Sequence, residues 1–381
     1  MTAGADGARA ERMVRVRAAM TDAGVDALLL SHGADLPWLT GYRAMPLERL
    51  TMLVLPREGE AVLVVPALEA PRVPEGGAFT LRAWAETEDP VAVVASLLGT
   101  AHAPGATGAI TCAVSDRAWA HSLLALQAAL PRASWVTASS VTSPLRAVKD
   151  AAEIAALQAA ATAADRVAAV LQAGEIPLAG RREVQVSEAI GAGLLAAGHR
   201  RVNFAIVGSG PNAASPHHEA GDRVIGEGDT VVCDFGGAYA LHDEVAYCSD
   251  ITRTVSIGDP GAEVRDCYAV LHDAQQAAVA AVAPGVTAAH VDAVARGVIA
   301  AAGLGEYFIH RTGHGIGIEE HEDPYLVAGN ATPLEMGHAF SVEPGIYVPG
   351  RFGMRLEDIV VVGEDGPVPL NTVDHSMVVM A

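Results

Sequence analysis

Four carboxylates and one imidazole stand out for where they fall along the chain. Asp234 closes the apolar run TVVCDFGG, Asp250 precedes the β-prone stretch ITRTVSI, His314 sits in TGHGIG, Glu343 in SVEPGIY and Glu357 in MRLED. Each falls at a strand end or in a Gly/Pro-rich turn, where rigid elements can aim side chains at one point. Taken singly, each carboxylate reads as a turn or surface residue, since Asp and Gly are ordinary turn formers. Together they form a mostly oxygen-donor set, which suits hard or borderline divalent ions such as Mn²⁺ better than a soft thiolate site does. Four carboxylates exceed what one cation needs and would repel one another without it. Two metals bridged by carboxylates resolve that conflict.

The elements around these residues must hold them in place. The first third alternates helical and strand patterns: ERMVRVRAAMTDAGV reads as a helix ended by Gly24, followed by strands in VDALLLS, LTMLVLP, EAVLVVPA and FTLRAW. A helix (PVAVVASLL), a strand (GAITCAV), a helix (SDRAWAHSLLALQAAL) and a short strand (SWVTAS) complete an α/β domain over residues 1–145. SPLRAVKD reads as the junction. Beyond it Ile154, Leu157, Ala161, Ala164, Val167 and Leu171 recur at steps of three and four, one face of a helix that Gly174 can cap. A second helix covers about 181–197. Strands then come in pairs (RVNFAIVGS, DTVVCDFGG, EVAYCSDITRTVSI), two helices fill about 261–302, and HAFSVEPGIYV and MRLEDIVVVG return to strand. Strands and helices segregate, so residues 146–381 read as an α+β domain.

A chain of 381 residues is long for one core, in keeping with two domains. It is 51% apolar and 18% charged, as expected of a globular protein with a filled interior. With 45 acidic against 25 basic residues the net charge is −20, which argues against a nucleic-acid backbone or an anionic membrane as partner. No stretch approaches the ~18 apolar residues of a membrane span, and MTAGADGARAERMVRVRAAM has no apolar core of signal-peptide length. The four cysteines form no CxxC pair, which suits a reducing compartment, so a cytoplasmic protein is expected. The glycines of GSGPN have the wrong spacing for a phosphate-binding loop.

The motif set resembles the pita-bread metallopeptidases of family M24: Xaa-Pro dipeptidase (prolidase), aminopeptidase P, methionine aminopeptidase and the metal-free relative creatinase. VDALLLSHGADLPWLTGY is similar to the N-terminal domain of the prolidase and creatinase branch, and VKDAAEIAAL to the start of its catalytic domain. The resemblance implies a creatinase/prolidase-type α/β domain followed by an α+β pita-bread catalytic domain. It implies two divalent ions, Mn²⁺ first with Co²⁺ or Zn²⁺ as alternatives, held by Asp234, Asp250, His314, Glu343 and Glu357. Asp234 would chelate one ion, His314 and Glu343 the other, and Asp250 and Glu357 would bridge them, with the two aspartates facing each other on a hairpin. A bridging hydroxide would attack the scissile carbonyl. His217 in SGPNAASPHHE and His321 in GIEEHEDP match the family's two non-ligand histidines, which stabilise the oxyanion, while His218 reads as a loop neighbour. Glu343 is placed to double as proton shuttle, and Arg355 to orient Glu357 through a bidentate pair. Thr252 is a candidate donor behind the ligands. His310, His290 and His272 read as helix-surface or loop histidines.

The chain departs from the family pattern at the hairpin. Asp234 and Asp250 stand 16 positions apart, longer than the family's usual hairpin, and Ala246 replaces a Gly-Tyr pair. A longer tip leaves the strand ends in place, with His242, Asp243 and Glu244 expected in a solvated loop. All five ligand positions are kept, unlike creatinase, and an N-terminal domain is present, unlike methionine aminopeptidase. The implied reaction is hydrolysis of the bond before proline, whose tertiary amide lacks the N–H that ordinary peptidases grip. Xaa-Pro dipeptidase comes first. Xaa-Pro aminopeptidase (aminopeptidase P) is the alternative, because prolidases often carry a basic residue four positions after the second histidine and here that position is Tyr325, with Arg351 a candidate substitute. A metal-binding non-enzymatic module and a hydrolase of another amide or ester are further readings. The expected partners are proline-containing di- or oligopeptides and a second copy of the chain, with Trp38 of DLPWLTGY edging the neighbour's cleft.

Overall fold

The computed structural model describes residues 3–74, 78–101, 109–241 and 245–381, so the expected tip loop of His242, Asp243 and Glu244 lies outside the described residues. Two compact units divide between Arg146 and Ala147.

The N-terminal unit contains strands β1 (Ala27–Leu30), β2 (Met52–Pro56), β3 (Val62–Pro66), β4 (Thr80–Trp84), β5 (Thr111–Val114) and β6 (Ser134–Thr137). Its helices are α1 (Ala3–Asp22), α2 (Asp35–Thr40), α3 (Pro90–Ala101), α4 (Ala120–Ala129) and α5 (Ser139–Ala147). The strands form one mixed sheet in the order β4-β3-β2-β1-β5-β6. Central β1 is antiparallel to β2 and parallel to β5, and its leucines are buried on both faces, which explains the unbroken apolar run ALLL. The stretch SPLRAVKD, read as the junction, contains the division between the units together with the end of α5, which runs through Pro144; one proline removes a single backbone donor from a helix. One expectation changes here. Trp38 is fully buried in its own unit, with the Arg12 guanidinium 5.5 Å from its ring and donating to its carbonyl at 3.1 Å. Its large apolar ring fills the interior, so it has no face to offer a neighbour's cleft.

The second unit contains helices α6 (Ala151–Gln172), α7 (Glu183–Ala196), α8 (Ala262–Ala280) and α9 (Ala288–Ala301). Its strands are β7 (His199–Ser209), β8 (Thr230–Tyr239), β9 (Tyr247–Cys248), β10 (Ile251–Ile257), β11 (Gly313–Gly315) and β12 (Glu322–Leu326), then β13 (Ala339–Val342), β14 (Gly345–Val348), β15 (Phe352–Arg355), β16 (Asp358–Val362), β17 (Pro367–Pro369) and β18 (Val379–Met380). One sheet runs β18-β10-β8-β7 with β9 on β8, a second runs β12-β11-β13-β16-β17, and β14 pairs β15 as a hairpin. Residues of α6 and α7 share a core with the first sheet, and those of α8 and α9 with the second sheet and the hairpin.

Helix α6 starts at a capping box in which Asp150 accepts from Glu153 N and Glu153 accepts from Asp150 N, both at 2.9 Å, an arrangement that contributes about 1 kcal/mol. By length and composition α6 could cross a membrane, contrary to the expectation that no stretch would, but half of its apolar window is buried inside the protein. Leu157, Ala161, Ala164, Val167 and Leu171 of the expected face are buried, and Ile154 is partly so. It is a core helix whose apolar stripe covers the first sheet.

Strand alternation decides what reaches the site. In β8, Val231, Cys233 and Phe235 join the helix-side core, as do Ile251, Val255 and Ile257 in β10. With a side-chain period of two, Asp234 and the polar series Asp250, Thr252 and Thr254 fall on the other face. Each side of these strands is therefore covered, one by helices and one by the site.

Candidate metal centre

A cavity of about 410 Å³ opens on that polar face, and its wall contains Asp234, Asp250, His314, Glu343 and Glu357. That volume is ordinary for a small-molecule site. His314 lies at the middle of β11, between two glycines that the close approach of neighbouring backbone requires. A Cβ on Gly313 would lie 1.8 Å from Ser341 O, and one on Gly315 would lie 2.2 Å from Asp323 O. His314 Nδ1 lies 3.1 Å from the carbonyl oxygen Gly315 O, which can only accept, so Nδ1 carries the proton and the Nε2 lone pair points inward. Nε2 lies 3.4 Å from Glu343 Oε1 and 3.7 Å from Asp250 Oδ2. Burial, then the adjacent His321 ring, pushes His314 down to about 3, leaving a neutral imidazole suited to ligation.

The carboxylates are in the opposite situation. Burial, then Glu357, Asp234 and Glu343, holds Asp250 well above the usual carboxylate range. Burial, then Glu343 and Asp234, does the same to Glu357. Burial pushes Glu343 up to about 7 against the pull of Arg355, with Asp234 adding to the rise. Buried carboxylates this close cannot all ionise without a compensating charge. Two of their oxygens, Asp234 Oδ1 and Asp250 Oδ1, are buried with no hydrogen-bond partner, which is rare in native interiors. Donor atoms of Asp250, His314 and Glu357 lie within 4.8 Å of one another. Orphaned acceptors, mutually repelling carboxylates and a neutral imidazole together fit a cation site.

The surrounding donors differ in part from expectation. Thr252 Oγ1 donates to Glu357 Oε2 at 2.6 Å. Thr252, not Asp250, is the residue opposite Asp234 across β8 and β10. The two aspartates are therefore offset by two positions along the strands rather than face to face. Arg355 does not make a bidentate pair with Glu357. Its Nη2 donates to Asp234 Oδ2 at 2.5 Å, Nη1 to the Tyr347 hydroxyl at 2.7 Å and Nε to Thr252 Oγ1 at 3.1 Å. The reason is that Arg355 ends β15 while Glu357 has left that strand to bridge Thr252.

His217 and His321 both line the cavity, the latter with its ring centroid 4.1 Å from that of His314. His218 turns the other way, placing Nε2 2.8 Å from Glu183 Oε2. Glu183, fully buried at the start of α7, also accepts from Ser209 N and Oγ, Asn212 Nδ2 and Gly221 N. Burial alone would raise its carboxyl, but hydrogen bonds from Ser209, His218 and Asn212 hold it below the usual range. One buried carboxylate thus ties down the loop that carries His217.

Sequence reasoning missed His310, which is not a surface residue. It lines the cavity, and its Nε2 lies 2.9 Å from the Tyr347 hydroxyl. Phe204, Ile206, Pro216 and Arg311 also lie in the wall. The signal available for His310 and Arg311 was their position just before the GHG motif, HRTGHG. Arg351, the candidate substitute cation, pairs instead with exposed Glu263 at 2.6 Å and is absent from the wall. His290 and His272 stay on helices α9 and α8.

Fold and site together define a metal-dependent hydrolase with a pita-bread catalytic domain. The family model for metallopeptidase family M24 matches residues 151–364, and that for the creatinase/prolidase N-terminal domain matches residues 12–148. The chain belongs to metallopeptidase family M24. It is 47% identical over 375 residues to the probable dipeptidase PepE of Mycobacterium tuberculosis, covering 97% of this chain and 96% of that one. It is 36% identical over 359 residues to the Xaa-Pro dipeptidase of Lactobacillus helveticus, covering 91% and 93%. The crystal structure of recombinant prolidase from Thermococcus sibiricus superposes with a TM-score of 0.88 at 36% identity, covering 96% of this chain and 97% of that one.

Proposed function

We propose that the chain is an Xaa-Pro dipeptidase using two divalent cations held by Asp234, Asp250, His314, Glu343 and Glu357. The observation that carries this reading is the convergence of these five side chains on one cavity, with buried oxygens of Asp234 and Asp250 left unpartnered. Bound cations would supply Lewis acidity toward the scissile carbonyl and an activated water. The oxygen-rich donor set favours Mn²⁺. The names of the relatives above support dipeptides ending in proline as substrates.

The chain's own residues do the rest. His217 and His321 stand in the wall as donors for an oxyanion; burial, then Arg311, lowers His321. Glu343 stands in the same wall and serves the leaving amine as proton shuttle. Arg355 fixes Asp234 and, through Thr252, Glu357. Phe204, Ile206 and Pro216 give the wall apolar patches that suit a pyrrolidine ring. Residues 146–381 act as the catalytic domain and residues 1–145 as its N-terminal partner. Four free, buried cysteines suit a reducing compartment, and the same reading takes the enzyme to be a cytoplasmic homodimer.

One observation favours aminopeptidase P instead: Tyr325 stands where a cation for the dipeptide carboxylate is expected. Incubating Mn²⁺-loaded protein with an equal mixture of Xaa-Pro and Xaa-Pro-Yaa, with an Asp250→Ala control, separates the two. Faster loss of the dipeptide supports the proposal, and faster loss of the tripeptide supports the alternative. No loss of either while two ions are bound would remove the substrate class altogether.

A further inference from the structure

Two arginines line the cavity, and they are engaged differently. Arg355 is occupied by Asp234, Tyr347 and Thr252 and has little freedom to meet a ligand. Arg311 is half-buried, and among the described residues its guanidinium has no carboxylate within ion-pairing distance. What it has is a platform, since its guanidinium carbon lies 4.4 Å from the centroid of the Tyr325 ring. Its charge faces the site closely enough to act on Glu343, His314 and His321.

We propose that Arg311, its guanidinium over the Tyr325 ring, receives the free carboxylate of the dipeptide's C-terminal residue. The inference rests on the Xaa-Pro reading above and names the residue that restricts substrate length. Stacking on an aromatic face leaves the edges of a guanidinium free, and those edges carry the planar fork that matches a carboxylate. The stack also limits the conformers of a long side chain, reducing what ordering it on binding would cost. Tyr325 stands four positions after His321, where a cation was expected, so the two functions are divided: Tyr325 supplies the surface and Arg311 the charge. In an Xaa-Pro-Yaa peptide the proline carbonyl belongs to a neutral amide, and the guanidinium loses its charged partner.

The test uses the metal-loaded full chain with Ala-Pro and its C-terminal amide as paired substrates. For Arg311→Met, kcat/KM on Ala-Pro should fall about 10- to 100-fold, mainly through KM, as a lost hydrogen-bonded charge predicts. Hydrolysis of the amide should fall much less, so that the acid-over-amide preference is lost, and metal content should be unchanged. Arg311→Lys should recover part of the acid-over-amide preference, since a point charge lacks the fork, and it serves as the readout if Arg311→Met fails to fold. Parallel losses on both substrates, or an intact acid preference in Arg311→Met, would overturn the assignment of Arg311 alone. A wild-type enzyme inert toward Ala-Pro would overturn the Xaa-Pro reading and this inference with it.

Discussion

Arg355 Nη2 donates to Asp234 Oδ2 at 2.5 Å, joining residues 121 positions apart in the chain. The same guanidinium donates through Nη1 to the Tyr347 hydroxyl, which lies 2.9 Å from His310 Nε2. Burial and the charge of Arg355 push His310 down to about 3, so it is neutral, and its Nδ1 donates to Arg311 O at 2.7 Å. Nε2 is then an acceptor, and the hydroxyl hydrogen of Tyr347 must point at it. The directions of the donors are therefore fixed from His310 to Asp234. Arg355→Lys keeps the charge but cannot reach Asp234, Tyr347 and Thr252 at once. We expect kcat/KM to fall about 10- to 100-fold, with bound metal measured in parallel and close to wild type.

Thr252 offers a cleaner probe of ligand orientation. Its hydroxyl hydrogen goes to Glu357 Oε2, and its oxygen accepts from Arg355 Nε. Thr252→Val keeps the shape and removes both bonds. Metal affinity, read by competition with a chelator, should weaken by about 10- to 100-fold, while the fold, read by circular dichroism, is unchanged.

Adjacent histidines should behave differently. His217 faces the cavity and His218 faces Glu183. His217→Ala should lower kcat by about 10²- to 10³-fold, the loss typical of an oxyanion donor, with little change in Tm. His218→Ala should retain most of kcat and instead lower Tm, because it removes one donor from a buried carboxylate that keeps the others. Equal effects of the two substitutions on kcat would contradict the placement of His217.

The raised carboxyl of Glu343 sets a pH dependence. Its ordinary value is 4.5 and burial takes it to about 7 in the metal-free protein. Between those values the folded state keeps a proton that the unfolded state releases, so the metal-free protein loses stability as pH rises through the window. Below it both states are protonated and the penalty vanishes. Metal binding removes the penalty at neutral pH, so the Tm difference between loaded and stripped protein should widen from about pH 4.5 to about pH 7. Glu343→Gln should reduce the pH dependence of the stripped protein without abolishing it, because Asp250 and Glu357 are raised as well. A gap that narrows with rising pH would contradict this assignment.

Much of this site could be read from the chain because the ligands sit in short motifs whose neighbours are dictated locally. The glycines around His314 are demanded by backbone contacts, and Asp234 by the alternation of an apolar strand. Contacts made between strands distant in sequence could not be read that way. Arg355 was expected on Glu357, its near neighbour, and instead reaches Asp234. His310 lies in a loop as expected, but its place in the cavity wall was not legible because its partner, Tyr347, arrives from another hairpin. The offset of Asp234 and Asp250 depends on register, which spacing across a long hairpin does not define. Trp38 was misplaced for a different reason: a motif's likeness to a relative says nothing about whether its largest side chain points inward.

Titrating metal-stripped protein with Mn²⁺, while following bound metal and Ala-Pro hydrolysis in the same samples, tests the metal-dependent Xaa-Pro dipeptidase reading most directly. Stripped protein should be inert, and activity should rise with loading and level off at two ions per chain, a stoichiometry that Asp250→Ala should fail to reach. Undiminished hydrolysis by stripped protein, or two bound ions without hydrolysis of Ala-Pro, would contradict it.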